Sequence, residues 1–397
     1  MLVIGLLAHC SAAAQDSTLT RLVHQYRLPL TQQGTQLAGP GWDKLRQDIA
    51  KSQFVLVGED HGAAQIPVFT TALAQEFKPT AYVAEIDKYQ AQDLSNLAAE
   101  PTLPTTYMRQ HPMGLSFYSW QEEFALAHFL RRQHVAIFGI DQVSQLSTGR
   151  FFERLGAEVK SPAAKAYLLG QAQAYQKQDL AAMQQGNGSF SIVQRPAALD
   201  SLRSLTRSEN PKVRQMVEDF AQSAAIYQRQ YAGKGGHQQR VNLMKSNLLQ
   251  TLTAYQSRPG KPLPKLLFKL GAGHVGRSAG LLNGTTDVGS LMQNLADAQD
   301  AQSLHIYVMA QQGTLNNKLN PSDFSQNAIP YTVEDEPAVR PFLAPTHEAA
   351  WQVCDLRPLR RAYLRNELKI VSSDQVLLLL NFDYLVVVPT VSASHNY

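Results

Sequence analysis

Short apolar runs that stop at titratable residues recur along this chain. Phe54-Val-Leu-Val-Gly58 leads into Glu59-Asp60-His61, and Ala81-Tyr-Val-Ala84 into Glu85. Val135-Ala-Ile-Phe-Gly-Ile140 leads into Asp141, and Leu266-Leu-Phe-Lys-Leu-Gly-Ala-Gly273 into His274. Runs of this length, bounded by turn residues, read as buried strands. In an open sheet of parallel strands, the carboxyl ends line the crevice where ligands bind. The pattern therefore predicts an α/β fold with a central, mostly parallel sheet flanked by helices. It also delivers two histidines and several carboxylates to one edge of that sheet.

Helical spacing fills the intervals. Ile66, Phe69, Leu73 and Phe77 predict a helix packed back on the sheet after the first strand, with Asp60 and His61 near its N-terminus as a cap and a surface residue or as site groups. Trp120, Phe124, Ala127 and Leu130 predict another helix over 118–132, with Glu122 and Glu123 at its positive end and a turn-rich loop, His111-Pro-Met-Gly114, before it. From Leu146 to Tyr255 no strand pattern occurs. Val213, Met216, Phe220, Ala224 and Tyr227 form one helical stripe, and Val241, Met244, Leu248, Leu252 and Tyr255 another. These predict a large helical insertion, about 146–257, as a lid over the sheet's mouth. Arg240 and Asn247 share a face of its last helix, where an arginine suits a carboxylate or a developing oxyanion or forms a surface ion pair. After His274 the α/β alternation resumes, with a strand at Leu304–Met309 and apolar runs at 376–380 and 384–388 around Asn381-Phe-Asp383.

Composition narrows the classes. With 44% hydrophobic and 17% charged residues over 397 positions, the chain is globular rather than disordered. Its net charge of +4 comes without a basic stripe, so nucleic acid is not an expected partner. No apolar run is long enough for a transmembrane segment. The apolar stretch Leu2–Ala8 followed by Ala12-Ala13-Ala14 reads as a signal peptide over 1–14, cleaved after Ala14. Residues 15–397 then form a single α/β domain, exported to the periplasm or secreted, of bacterial type. His9 is too large a neighbour for Cys10 to serve as a lipid anchor. After cleavage Cys354 is the one thiol, so no internal disulfide is expected.

The chemistry centres on two Gly-x-x-His elements, Gly58-Glu59-Asp60-His61 and Gly271-Ala272-Gly273-His274. A neutral imidazole held by a carboxylate is a competent general base near neutral pH. Two histidines with Glu59, Asp60 or Glu85 could also hold a divalent metal such as Zn or Mn, with the ligand set left open. Lys269, a charge inside an apolar run, faces the crevice or snorkels at a sheet edge.

Six segments occur in the order seen in the erythromycin esterase family, which the chain resembles over about residues 50 to 390. They are Leu56-Val-Gly-Glu-Asp-His-Gly62, Tyr118-Ser-Trp-Gln-Glu-Glu123, Phe138-Gly-Ile-Asp141, Arg240-x-x-x-Met244-x-x-Asn247, Gly273-His-Val275 and Phe382-Asp-Tyr-Leu-Val386. That family is similar to the ChaN-type haem-binding proteins and the Tiki/TraB group. The resemblance implies an exported esterase-like hydrolase acting on a small-molecule or peptide substrate. By similarity His61 would activate water, Glu59 and Glu85 would orient it or the substrate, and His274 and Arg240 would serve the leaving group or oxyanion. Asp141 would complete the site. The first motif is one residue shorter than the Gly-Glu-x-x-His-Gly usual in esterase members, and closer to the Gly-Glu-x-His of ChaN-type proteins. Two alternatives follow: a metal-dependent peptidase of Tiki/TraB type, or a non-catalytic haem- or iron-binding protein with His61 and His274 as ligands. No cofactor is expected for the hydrolase, and the pattern does not fix an oligomeric state.

Overall fold

A computed structural model describes residues 18–186, 188–194, 197–255, 263–279, 285–334, 336–343 and 350–397. The expected signal peptide and its cleavage site lie outside the described residues. Among the described residues the strands are β1 (Arg27–Gln33), β2 (Gln36–Ala38), β3 (Phe54–Glu59), β4 (Ala81–Asp87), β5 (Ala136–Asp141), β6 (Leu266–Gly271), β7 (Ser303–Asn316), β8 (Ala328–Thr332), β9 (Trp351–Asp355) and β10 (Tyr384–Val391). The protein is α/β, with mostly parallel strands flanked by helices, and it divides into two compact units. One is built from the described residues within Met1–Thr80, Pro262–Leu315 and Ile329–Ala393; the other from those within Ala81–Lys261, Asn316–Ala328 and Ser394–Tyr397.

In the first unit the strands run in the order β2-β1-β9-β10-β7-β3-β6, with β8 alongside β7. The pairs β10–β7, β7–β3 and β3–β6 are parallel. The margin β2-β1-β9-β10 is antiparallel throughout. Every residue of β3 is buried, as a strand covered on both faces requires, which is why it reads as a continuous apolar run. The helix Gln65–Phe77 returns over the sheet, and its Ile66, Phe69, Leu73 and Phe77 are at most 1% exposed. Phe69 meets Trp42 edge-on at 6.4 Å and Trp351 at 6.0 Å, a geometry worth about 0.5–1.5 kcal/mol per pair beyond simple burial.

In the second unit β4 and β5 pair in parallel, from Ala81↔Ala136 onward. The helix Gln121–Arg132 follows a short 3-10 turn at Ser116–Ser119, so the expected 118–132 helix starts a turn late. Between β5 and β6 in chain order the described residues hold helices and turns but no strand, as the unbroken helical periodicity predicts. The Val213–Tyr227 stripe is buried on the helix Pro211–Tyr231, where Phe220 stacks on Phe151 at 5.5 Å and meets Phe152 edge-on. Val241, Met244, Leu248 and Leu252 are likewise buried, while the Tyr255 side chain lies outside what is described. Cys354 is buried in β9 and acts as core. Among the described residues no helix is long and apolar enough to cross a membrane.

Candidate active site

β3 and β6 are hydrogen-bonded neighbours in register, Glu59 opposite Gly271, so both strands end at the same level in the first unit. Glu59 Oε1 lies 2.8 Å from His61 Nδ1 and 2.5 Å from Lys269 Nζ. Lys269 is the register partner of Val57, and residues two apart on a strand share a face, so its chain runs toward Glu59. Glu59 and Lys269 side chains are each 2% exposed, whereas His61 keeps 29%. The snorkelling expected as one option for Lys269 does not occur; the ammonium is buried against a carboxylate. Burial pushes the Glu59 carboxyl up, but the Lys269 charge, reinforced by His61, outweighs it and holds the group below its ordinary range. An ionised carboxylate thus stands behind His61. Accepting the Nδ1 proton, it makes Nε2 the basic nitrogen.

His274 sits on the helical turn Ala272–Val275 that follows β6. Its Nδ1 is 2.9 Å from Asp287 Oδ2, and both side chains are buried. Asp287 Oδ1 accepts from the Val288 backbone N–H at 2.6 Å, capping the helix Val288–Asp297. The pairing of His274 with Asp287 has one sequence signal, an Asp at the cap position before an apolar periodic run, and the sequence reading above missed it.

The turn carrying His274 packs directly on β3. A Cβ added to Gly58 would lie 2.5 Å from Val275 Cγ2 and 2.9 Å from the Ala272 backbone. Gly58→Ala is therefore expected to push the His274 turn off β3 and to destabilise the protein by about 1–3 kcal/mol, the usual scale of overpacking. Urea unfolding measures the loss, and an unchanged midpoint would contradict this packing.

Asp60 does not cap the following helix. That helix begins only at Gln65, with Ala64 at its cap position and no side-chain cap. Asp60 instead accepts hydrogen bonds from Tyr307 at 3.2 Å and Tyr331 at 3.0 Å. Burial pushes the Asp60 carboxyl up, and the two phenols offset this only in part. Neither tyrosine is visible as a site residue in the sequence, because each sits in a strand where an aromatic is ordinary.

The second unit holds its own polar cluster. The β4–β5 register shifts between Ala84 and Asp87, a bulge that re-aims side chains around Glu85. The bulge lies on Gly139, where an added Cβ would come within 2.3 Å of the Asp87 carbonyl oxygen. Arg240 donates through Nε and Nη2 to the two Asp141 oxygens at 3.0 and 2.6 Å, and through Nη2 to Glu85 at 2.7 Å. Asn247 donates to the Ile140 carbonyl at 2.9 Å. Desolvation opposes the Arg240 charge, but Asp141 and Glu85 overcome it and hold the guanidinium firmly protonated. Arg240 is thereby committed to two carboxylates on its own unit. His111 lies 3.5 Å from Glu153, and burial lowers its pKa.

Among the described residues no three His, Cys, Asp or Glu side chains cluster as a metal-binding group. Glu59 Oε2 is buried without a hydrogen-bond partner, but the Lys269 ammonium on its sister oxygen repels a second cation. The carboxylate beside His61 is therefore already paired with a buried cation.

No family model matches the chain, and no curated protein matches it. Solved structures do. A Bacillus cereus protein is 15% identical, with 96% of this chain and 99% of that one covered at a TM-score of 0.55. A succinoglycan biosynthesis protein is 12% identical, with coverages of 97% and 99% and a TM-score of 0.56. An erythromycin esterase mutant, EreC in its open conformation, is 14% identical, with coverages of 91% and 96% and a TM-score of 0.54. At such identities the likeness is one of fold, and it runs through nearly the whole chain, as the ordered segments imply.

Proposed function

We propose that the chain is an esterase-like hydrolase in which His61, oriented by Glu59, activates a water molecule. The observation that carries this reading is the shared Glu59 oxygen, 2.8 Å from the His61 imidazole and 2.5 Å from the buried Lys269 ammonium. A carboxylate kept ionised by a buried cation is a permanent acceptor for the Nδ1 proton, so the imidazole enters each cycle in one tautomer. Water adds to the acyl carbon as its proton passes to His61 Nε2, a step typically worth about 10²–10⁴-fold in rate. His274, held by Asp287 at the level end of the neighbouring strand, can present its Nε2 proton to the developing oxyanion when protonated. The esterase among the structures of similar fold supports ester bonds as the substrate class. Glu85, Asp141 and Arg240 are proposed to function as one rigid cluster of the second unit rather than singly, because each carboxylate holds the guanidinium in place. Export to the periplasm or secretion belongs to the same reading.

A panel of aryl esters, alkyl esters and lactones offered to the purified protein tests this. Turnover that depends on His61 is expected for at least one class. The binding-only alternative is separated by a haem titration, in which the hydrolase reading expects no Soret shift at micromolar haem. A shift abolished in a His61→Ala/His274→Ala variant would favour that alternative instead.

A further inference from the structure

We propose that Asp60 is the general acid that protonates the leaving alcohol, opposite the His61 base; this rests on the ester-hydrolase reading above. Glu59 closes β3, and Asp60 and His61 follow it into the turn. Glu59 holds His61 and reaches Lys269 of β6, the neighbour on one side of β3. Asp60 reaches Tyr307 of β7, the neighbour on the other side. A bond lying across this strand end is flanked by an imidazole on one side and a carboxyl on the other. Cleavage of a C–O bond between a base and an acid needs that placement.

The surroundings of Asp60 fit the role. Tyr307 reaches Oδ1 at 3.2 Å and Oδ2 at 3.5 Å, and Tyr331 reaches Oδ2 at 3.0 Å, so the carboxyl is fixed in direction. The ionisable groups facing it are these two phenols, His61 and Glu59. Burial favours the protonated carboxyl, and the Glu59 charge adds to it; the phenols and His61 oppose both and lose. The structural function of a buried Asp, capping the next helix, is not served here, since that helix carries no side-chain cap.

The step balances. Water oxygen bonds to the acyl carbon while its proton moves to His61. When the tetrahedral adduct collapses, the acyl C–O bond breaks and the departing oxygen takes the Asp60 proton. The His61 proton then returns to the Asp60 carboxylate through solvent, so one ester and one water give one acid and one alcohol.

The test compares two acetate esters with the full chain. A p-nitrophenyl ester releases an anion stable enough to leave unprotonated, whereas a simple alkyl ester needs a proton on its leaving oxygen. Asp60→Asn is expected to slow the alkyl ester about a hundredfold and to leave the p-nitrophenyl ester within about threefold. The retained aryl activity is itself the control for folding. Tyr331→Phe, which keeps the carboxyl but removes one of its anchors, is expected to slow only the alkyl ester, by about tenfold. If Asp60→Asn slows both esters equally, or neither, or if Tyr331→Phe shows no preference between them, Asp60 is not the acid. If the unmodified protein hydrolyses neither ester nor any other in the panel, the hydrolase reading itself falls.

Discussion

Lys269→Met is expected to destabilise the protein by about 3–5 kcal/mol, because it strands the Glu59 carboxylate in the interior without its counter-charge. The pH dependence should change sign as well as size. In the unmodified protein the Glu59 carboxyl is held below its ordinary range, so the folded state gains stability above that range. That gain is lost as pH falls through the folded value, which lies below the ordinary carboxylate range. Without Lys269, burial is the largest influence left, and the carboxyl moves above its unfolded value. The contribution of Glu59 is then intact in acid and lost as pH rises through the variant's folded value. Urea unfolding at a series of pH values reads this directly. The penalty of the substitution should grow from acid to neutral pH, and a penalty that is constant with pH would remove Lys269 from the Glu59 pair.

His61→Ala is expected to lower ester turnover by at least about a hundredfold while leaving the fold in place. The imidazole keeps 29% exposure and is not one of the buried core residues, so its removal is expected to cost little stability. Its loss takes away the proton acceptor but leaves Glu59 paired with Lys269, so no buried charge is abandoned. Steady-state rates together with a circular dichroism melt check both halves. Turnover within a few-fold of the unmodified protein would take His61 out of the mechanism.

The strand ends that carry the chemistry are legible in the sequence for a physical reason. β3, β4, β5 and β6 are short, apolar and bounded by glycine or acid, so their extent and the residues that follow them can be read without a structure. The helix Gln65–Phe77 and the helical run between β5 and β6 are legible by periodicity alone. What the sequence hides is direction. Lys269 reads as facing the crevice or snorkelling at a sheet edge until the register of β6 with β3 places it on the face of Glu59. Asp60 resembles a helix cap until the helix is seen to start at Gln65. Asp287 reads at most as a helix cap before an apolar periodic run, and its bond to His274 shows what else it holds. Of the antiparallel margin β2-β1-β9-β10 only β10 is legible, as the apolar run 384–388; β2 has three residues, β1 is mostly exposed or half-buried, and β1 and β9 pair across more than 300 residues. Arg240 was readable as an anion-binding arginine; the structure supplies its anions from Glu85 and Asp141.

In the proposed hydrolase an imidazole–carboxylate dyad, kept charged by a lysine, activates water for ester hydrolysis. Steady-state hydrolysis of an ester by protein dialysed exhaustively against chelator tests it most directly. The account predicts the same turnover before and after dialysis. Activity that disappears in chelator and returns with stoichiometric Zn or Mn would contradict it and favour the metal-dependent alternative.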